Sequence, residues 1–335
     1  MKTLAQQINV RASRNNIPLS VVIELTYRCN LRCYYCYQKG FDSVKELPLK
    51  KWSAIFKQLA DSGTLYLTFS GGEPFVRSDF LDMVEHARKL DFGVSIITNG
   101  TLLTHASITR LSALGIMDIG ISFHAAQPLL HDRLAGKTGS FQKAFKNLCL
   151  CKAAGIRTMI KHSVSTENFG EFSALQKMAD DAGCLFECDC FVLPHEKGTV
   201  SPFSLSKDQH GSFLKKMKAA AFSCESIRDI NARLHCDAGR SVAGISPSGD
   251  VAACIQLPIV FGNLTRSPFQ GVWNSPQAKR FRTQEKRLSL PCTSCSIKQF
   301  CSRCHGIAFL ESGDWQGKSP SLCLHAMAVK KTARH

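Results

Sequence analysis

The chain has 335 residues, 44% of them hydrophobic, which is enough for a sizeable core; no apolar run nears the ~20 residues of a membrane span, and Met1 to Pro18 lacks the apolar centre of a secretory signal. Sixteen cysteines in a chain of this size without such a signal argue against a secreted disulfide scaffold and for metal ligation in a reducing cytoplasm. The formal charge of +16 is spread along the chain rather than massed in one arm, which argues against a nucleic-acid binder and for an acidic substrate or leader peptide steered to a positive face.

Residues 1–18 read as a polar arm. Leu19 to Leu25 is an apolar run that predicts a buried strand, and Leu49, Trp52, Ile55, Phe56 and Leu59 then fall at helical spacing. Leu65 to Phe69 predicts a second strand, followed by a helix with Ser78 as N-cap and Phe80, Leu81, Val84 and Ala87 inward. Val94 to Thr98 is a third strand, Thr104 to Leu114 a helix, and Ile116 to Ser122 a fourth strand. Ser140 caps a helix with Phe141, Ala144, Phe145 and Leu148 on one stripe. Arg157 to Val164, a helix near Phe172 to Ala182, and a sixth strand from Leu185 to Leu193 complete the alternation. Strands alternating with helices call for a parallel sheet with right-handed crossovers. A doubly wound sheet and a partial barrel both satisfy it.

The loop leaving the first strand carries Cys29, Cys33 and Cys36 in C-x3-C-x2-C spacing. A fully protein-held iron–sulfur cubane takes four thiolates, so three leave one iron open, and an open position is where metals do chemistry. A zinc knuckle or a group of core cysteines is the plainer alternative. After the second strand comes Ser70-Gly71-Gly72-Glu73-Pro74, whose paired glycines allow a close backbone approach to a ligand, or make an ordinary turn. Cys29, Cys33 and Cys36, with Tyr35 just before the last cysteine, resemble the cluster motif of the radical S-adenosylmethionine (radical SAM) superfamily.

That resemblance covers residues 19–193 and implies a partial (β/α)6 TIM-like barrel. It implies a [4Fe-4S] cluster whose open iron chelates S-adenosyl-L-methionine and cleaves it reductively to a 5′-deoxyadenosyl radical. Carried over by position, Tyr35, Gly71, Gly72, Glu73 and Pro74 fall in the cofactor-binding motifs, and Asn99 and Ser122 at strand ends lie near the nucleotide. A turn asparagine and a capping serine are the alternatives for those last two. The N-terminal arm is too short for the separate peptide-recognition domain that some relatives carry.

Other residues in the barrel read more plainly. His124 reads as a hydrogen-bonded loop histidine, and Lys161 either meets a carboxylate or is solvated. Cys149 and Cys151 read as core. Cys188 and Cys190 share one strand face; they are buried small hydrophobes, or Cys190 is a hydrogen-atom donor beside the radical.

Pro194 to Pro202 reads as a linker, and a helix from Ser206 to Ser223 follows. From Cys236 the composition shifts to cysteine and glycine, and a second, metal-stapled domain begins. Cys236 and Cys254 bracket Gly249; Cys292, Cys295, Cys301 and Cys304 follow in C-x2-C-x5-C-x2-C spacing, then Cys323. Two zinc sites would use similar pairs, and seven cysteines leave one tetrahedral site short of a ligand. With the segment from Ile245 to Asp250, Gly262-Asn263, Trp273 and Gly313-Asp314, the array resembles the SPASM domain, which implies two auxiliary clusters. By position Cys236, Cys254 and Cys304 hold the inner cluster, and Cys292, Cys295, Cys301 and Cys323 the outer one. The gap between Cys301 and Cys304 is one residue shorter than the common form, and the fourth inner ligand is missing, Cys224 being the nearest upstream candidate.

The expected division is an arm over 1–18, a barrel over 19–193, a linker and helix over 194–235, and the cysteine-rich domain over 236–330. The expected function is radical modification of a ribosomal peptide or protein. A flavodoxin or ferredoxin serves as reductant, and a separate peptide-recognition protein is a candidate partner. Tetrapyrrole side-chain modification is the rival within enzymes. A zinc-binding regulator contacting nucleic acid is the rival of another class.

Overall fold

The computed structural model describes residues 3–38, 44–219, 236–284 and 290–333. Helix α1 (Leu4–Asn15) leads into strand β1 (Ser20–Glu24). Then come α2 (Leu49–Asp61), β2 (Tyr66–Ser70), α3 (Phe80–Lys89), β3 (Gly93–Thr98), α4 (His105–Ala113) and β4 (Asp118–Ser122). The alternation continues with α5 (Pro128–Ala135), α6 (Ser140–Ala153), β5 (Thr158–Ser163), α7 (Phe172–Asp181) and β6 (Leu185–Asp189). The six strands lie where the apolar runs predict and pair in parallel in chain order, as the partial barrel expected of them.

Register sorts the side chains. Ile23, Phe69 and Ile96 are paired across three strands, and Ile119 and Ile121 continue that buried face onto β4. Trp52, Phe56 and Leu59 of α2 and Phe80, Met83 and Val84 of α3 cover it and are fully buried. Each such side chain contributes about 1.5–3 kcal/mol by leaving water. The alternate residues Glu24, Ser70, Gly120, Ser122 and Lys161 point to the opposite, concave face, because successive strand residues alternate sides.

Beyond the barrel lie α8 (Lys207–Ala219), β7 (Val242–Ile245), β8 (Asp250–Cys254), β9 (Leu257–Asn263), α9 (Phe269–Trp273), α10 (Pro276–Gln284), α11 (Leu290–Thr293), α12 (His305–Ser312) and α13 (Pro320–Thr332). β7 lies parallel to β1, with Ser20 opposite Val242 and Ile23 opposite Ile245. β8 and β9 follow antiparallel, giving one nine-stranded sheet in the order β6-β5-β4-β3-β2-β1-β7-β8-β9. The cysteine-rich part is thus built on the barrel's own sheet, and Ile245, Val251, Phe261 and Trp273 share a core with Ile23 and Trp52.

Several local readings change. The N-terminal arm is a helix, closed by a capping box in which Thr3 and Gln6 bond reciprocally. Trp273 Nε1 donates to Asn16 O at 2.7 Å and so ties this helix's end to the far part of the chain. Asp79, not Ser78, precedes α3, and Gly139, not Ser140, precedes α6. Ser140 is instead the first helical residue, with its hydroxyl on Asp132 Oδ1 at 2.7 Å. Cys151 is buried but Cys149 is exposed, because a two-residue step on a helix turns to the other side. Cys224 lies outside the described residues.

One buried cation fastens the loops around β1. The Arg77 side chain is 5% exposed and pairs with Glu46 Oε2 at 3.0 Å and Asp79 Oδ2 at 2.9 Å. It also donates to Leu25 O and Leu47 O, each at 3.1 Å. Arg77→Met keeps apolar bulk but removes the bonds to Asp79, Glu46 and two backbone carbonyls, Glu46 keeping its pair with Arg28 at 2.9 Å; each buried group left unsatisfied costs about 1–3 kcal/mol. The expected result is a melting temperature several degrees lower when the protein is heated without oxygen. An unchanged melting curve would show that this network is not holding the loops.

Candidate active site

The cysteine loop leaves the carboxyl end of β1, and α5 holds it from outside. Arg32 N–H donates to Ala135 O at 3.1 Å and Tyr34 N–H to Leu134 O at 2.8 Å. Gly136 ends α5 in the left-handed region at φ 66°, and a Cβ there would sit 2.6 Å from Arg32 O. Only glycine allows that approach. Cys29, Cys33 and Cys36 are all half-buried, and Cys36 N–H donates to Cys33 O at 3.3 Å. Cys29 Sγ accepts from Leu31 N–H at 3.4 Å and from Asn99 Nδ2 at 3.8 Å. Burial raises the Cys29 thiol, and the neighbouring Glu73 and Cys36 push it in the same direction.

The Gly71-Gly72-Glu73 segment clasps the same loop. Gly72 N–H donates to Thr26 O at 2.7 Å and Glu73 N–H to Arg28 O at 2.9 Å. A Cβ on Gly71 would stand 2.2 Å from Thr26 O, and one on Gly72 2.3 Å from Arg28 O. The close approach these glycines allow is therefore to the chain's own backbone just before Cys29. Glu73 is fully buried and accepts from Thr98 Oγ1 at 2.7 Å, Asn99 N–H at 2.8 Å and Phe75 N–H at 3.1 Å. Pro74 is buried and opens the short 3₁₀ turn that Glu73 caps. Asn99 Nδ2 also reaches Asn30 Oδ1 at 2.9 Å, so the β3 end touches the cysteine loop directly.

Tyr35 is buried, with its hydroxyl 2.8 Å from His124 Nδ1 and accepting from Asn168 Nδ2 at 3.1 Å. Burial pushes His124 down to about 3, helped by the charges of His131 and His162. It pushes His131 and His162 each to about 4, so these imidazoles are neutral fixtures. His124 is a hydrogen-bonded loop histidine, as the sequence suggests. Asn168, which sequence reading passed over, is nearly fully buried and donates also to His124 O and Ser163 O. Ser122 sits opposite Lys161 on the concave face, and Lys161 Nζ pairs with Glu187 Oε1 at 2.6 Å.

Glu24, also passed over, stands at the end of β1 with 4% exposure. It accepts from Tyr37 OH at 3.0 Å, from Tyr27 OH at 3.2 Å and from Gln38 Nε2. A carboxylate ending an otherwise apolar strand run was the available signal. Burial raises the Cys254 thiol of the inner set, and the charges of Cys304 and Glu24 push it in the same direction. Cys236 packs against the main core.

The four cysteines that the resemblance implies for the outer set lie around one cavity. Burial pushes Cys301 up to about 11, with the charges of Cys323, Cys292 and Cys295 acting in the same direction, and burial likewise raises Cys323, which feels Cys292 and Cys295. All four line a cavity of about 870 Å³ ringed by Lys207, Lys298, Arg303, Lys318, Lys330 and Lys331. Arg303 Nη1 lies 3.7 Å from Cys292 Sγ. Four thiols in a cationic ring, without a carboxylate in the lining, fit a thiolate-held cluster, since metal binding releases thiol protons and leaves negative charge to offset.

Cys190 lies elsewhere. It is 5% exposed, beside Phe172, Leu205 and Phe213, with its sulfur 3.8 Å from His325 Nδ1.

Comparison with known proteins agrees with this layout. The family model of the Radical SAM superfamily matches residues 23–178, and that of an iron–sulfur cluster-binding domain, SPASM, matches residues 236–296. The AdoMet-dependent heme synthase of Methanosarcina barkeri is 25% identical over 346 residues, spanning 94% of this chain and 99% of that protein. The subtilosin biosynthesis protein AlbA of Bacillus subtilis is 27% identical over 323 residues, spanning 89% and 72%. The PqqA peptide cyclase of Gluconobacter oxydans is 28% identical over 300 residues, spanning 84% of each chain. The fold is shared with Streptococcus suis SuiB, crystallised with S-adenosylmethionine, at a TM-score of 0.72 and 17% identity over 94% of this chain and 80% of that one. The chain therefore belongs to the radical SAM superfamily, as an enzyme with a SPASM iron–sulfur domain joined to its barrel.

Proposed function

We propose that this enzyme cleaves S-adenosylmethionine at the Cys29–Cys33–Cys36 loop and turns the resulting radical on a side chain of a ribosomally made peptide or protein. The carrying observation is the convergence of three strand-end loops on Cys29: its own after β1, the Gly72–Glu73 clasp after β2, and Asn99 after β3. When bound, an iron–sulfur cluster supplies the electron that breaks the sulfonium bond. Cys29, Cys33 and Cys36 would hold it. Asn99 and Ser122, at the ends of β3 and β4, would meet the nucleotide, and Glu73 fixes Asn99 through its backbone. Cys236, Cys254 and Cys304 would hold the inner auxiliary cluster, and the four outer cysteines the other.

The peptide reading is supported by AlbA, which serves the biosynthesis of a bacteriocin, and by PqqA peptide cyclase. The net charge of +16 suits an acidic leader. A flavodoxin-like or ferredoxin-like reductant and a separate peptide-recognition protein belong to this proposal, as does a reducing cytoplasmic setting. No helix among the described residues is long and apolar enough to cross a membrane. A tetrapyrrole substrate is the second reading, favoured by the heme synthase, which this chain matches over 99% of its length. A precursor-peptide gene beside this one favours the first reading, and haem-pathway genes favour the second.

The test is anaerobic reconstitution with iron and sulfide, reduction with dithionite, and mass spectrometry. The parent should release 5′-deoxyadenosine, and replacing Cys29, Cys33 and Cys36 with alanine should abolish it. Product from the triple variant would refute the site.

Glu24 gives a pH signature. Burial raises its carboxyl from 4.5 to about 7, against the lowering effect of bonds from Tyr37, Tyr27 and Gln38. A raised folded-state pKa means the protonated form is favoured on folding. That stability is complete below the unfolded value and is lost as pH rises through about 7. Glu24→Gln stays neutral throughout. Its melting temperature relative to the parent should therefore rise by a few degrees between pH 6 and pH 8. A difference that stays flat over that range would show that Glu24 does not titrate there.

A further inference from the structure

We propose that Cys190, His210 and His325 form a mononuclear zinc site, separate from the three cysteine sets above. The residues come from distant parts of the chain: Cys190 just past β6, His210 on α8 and His325 on α13. One ligand atom from each lies within 4.8 Å of the other two. Cys190 Sγ is 3.8 Å from His325 Nδ1, and that atom is 3.4 Å from His210 Nδ1.

These separations fit a metal centre. With zinc–sulfur bonds of ~2.3 Å and zinc–nitrogen bonds of ~2.0–2.1 Å, tetrahedral angles put two nitrogens ~3.3 Å apart and a sulfur and a nitrogen ~3.6 Å apart. Hydrogen bonding alone explains the cluster less well. The two Nδ1 atoms face each other at 3.4 Å, longer than the usual ~2.7–3.2 Å of a nitrogen hydrogen bond. His210 is 1% exposed and Cys190 5% exposed. Ligation would engage His210 Nδ1 and leave its proton on Nε2. The Cys190 thiol would give its proton to solvent as the sulfur–zinc bond forms.

The donor set selects the ion. One sulfur and two imidazoles are too few thiolates for an ordinary cubane and suit a borderline-soft divalent metal, zinc first. Three protein donors leave a fourth position for water. Phe191 stacks edge-on to His325 at 5.2 Å and lies 6.0 Å from His210, walling the site with an apolar ring. The ion would fasten α8 and α13 to the end of β6. Cys190 would then be a ligand rather than a hydrogen-atom donor.

The probe is zinc chloride added to protein whose clusters are already loaded, so that cluster cysteines are not free to take it. After dialysis, zinc and iron are counted by mass spectrometry, and zinc-edge X-ray absorption reads the first shell. The expected result is one retained zinc per chain with one sulfur and a majority of nitrogen and oxygen neighbours. His210→Asn and His325→Asn should each lose the zinc and keep the iron. Loss of zinc on dialysis of the parent, an all-sulfur shell, or zinc retained in both variants at the parent's level would overturn the proposal. If a variant loses iron as well, the parent's shell alone decides. None of these readings depends on 5′-deoxyadenosine release, so failure here is distinguishable from failure of the proposed activity.

Discussion

The buried carboxylate of Glu73 is the constraint on which the site depends. An ionised carboxylate away from water is tolerated only when hydrogen bonds replace its hydration. Glu73 finds three: a hydroxyl and a backbone N–H from the β3 end, and a backbone N–H from its own 3₁₀ turn. Its own N–H meanwhile goes to Arg28 O, next to Cys29. One residue, by its side chain and its backbone N–H together, thereby makes the ends of β1, β2 and β3 interdependent. The cysteine loop is rigid because several strand ends must move before it can, not because it is itself regular. The raised Glu73 carboxyl follows from the same burial, the three hydrogen bonds restoring only part of what water would give.

Charge organises the other end of the molecule. Gathering four thiols costs little while they are protonated, and burial keeps Cys301 and Cys323 above the ordinary thiol range. Ionising them together would concentrate negative charge, and the five lysines and one arginine around the outer cavity are placed to offset it. Part of the net positive charge is thus explained locally, by what the cysteines hold, rather than by a polyanionic partner. Arg303 is the most committed of these cations, bonded to Trp315 O at 2.8 Å while facing Cys292.

Most of the barrel was legible because its strands are apolar runs bounded by turn residues, and such runs announce themselves locally. The C-x3-C-x2-C loop and the C-x2-C pairs are local patterns and so visible in the sequence, whereas the grouping of distant cysteines into sets came only from the resemblance. What was hidden came from long-range packing or weak periodicity. In α5 the buried residues include His131 and Asp132, so no apolar stripe marks it. In α1 only Ala12 is buried, and the capping box rather than a core face sets its start. β7 and β8 are short, alanine-bearing segments whose strand character depends on β1 as a template. Glu24, Asn168 and the Cys190–His210–His325 group acquire meaning only when residues up to 135 positions apart are brought together. No single-window reading carries that information.

The pairing of β7 with β1 bears on how the two metal-bearing parts communicate. Two domains on a flexible linker could vary their separation, and electron transfer or substrate handling between them would depend on that motion. Here the strand leading into the cysteine loop and the strand opening the SPASM segment are neighbours in one hydrogen-bonded ladder. Ile23 and Ile245 lie opposite each other and share a core. Separating them would break that ladder and expose the buried faces of both, at a cost of several kcal/mol for even a few large side chains. The distance from Cys29 to Cys254 is therefore set by the sheet, with Glu24 in the electrostatic reach of Cys254. A substrate bound between the two cysteine sets would meet an interval that the sheet, not a hinge, defines.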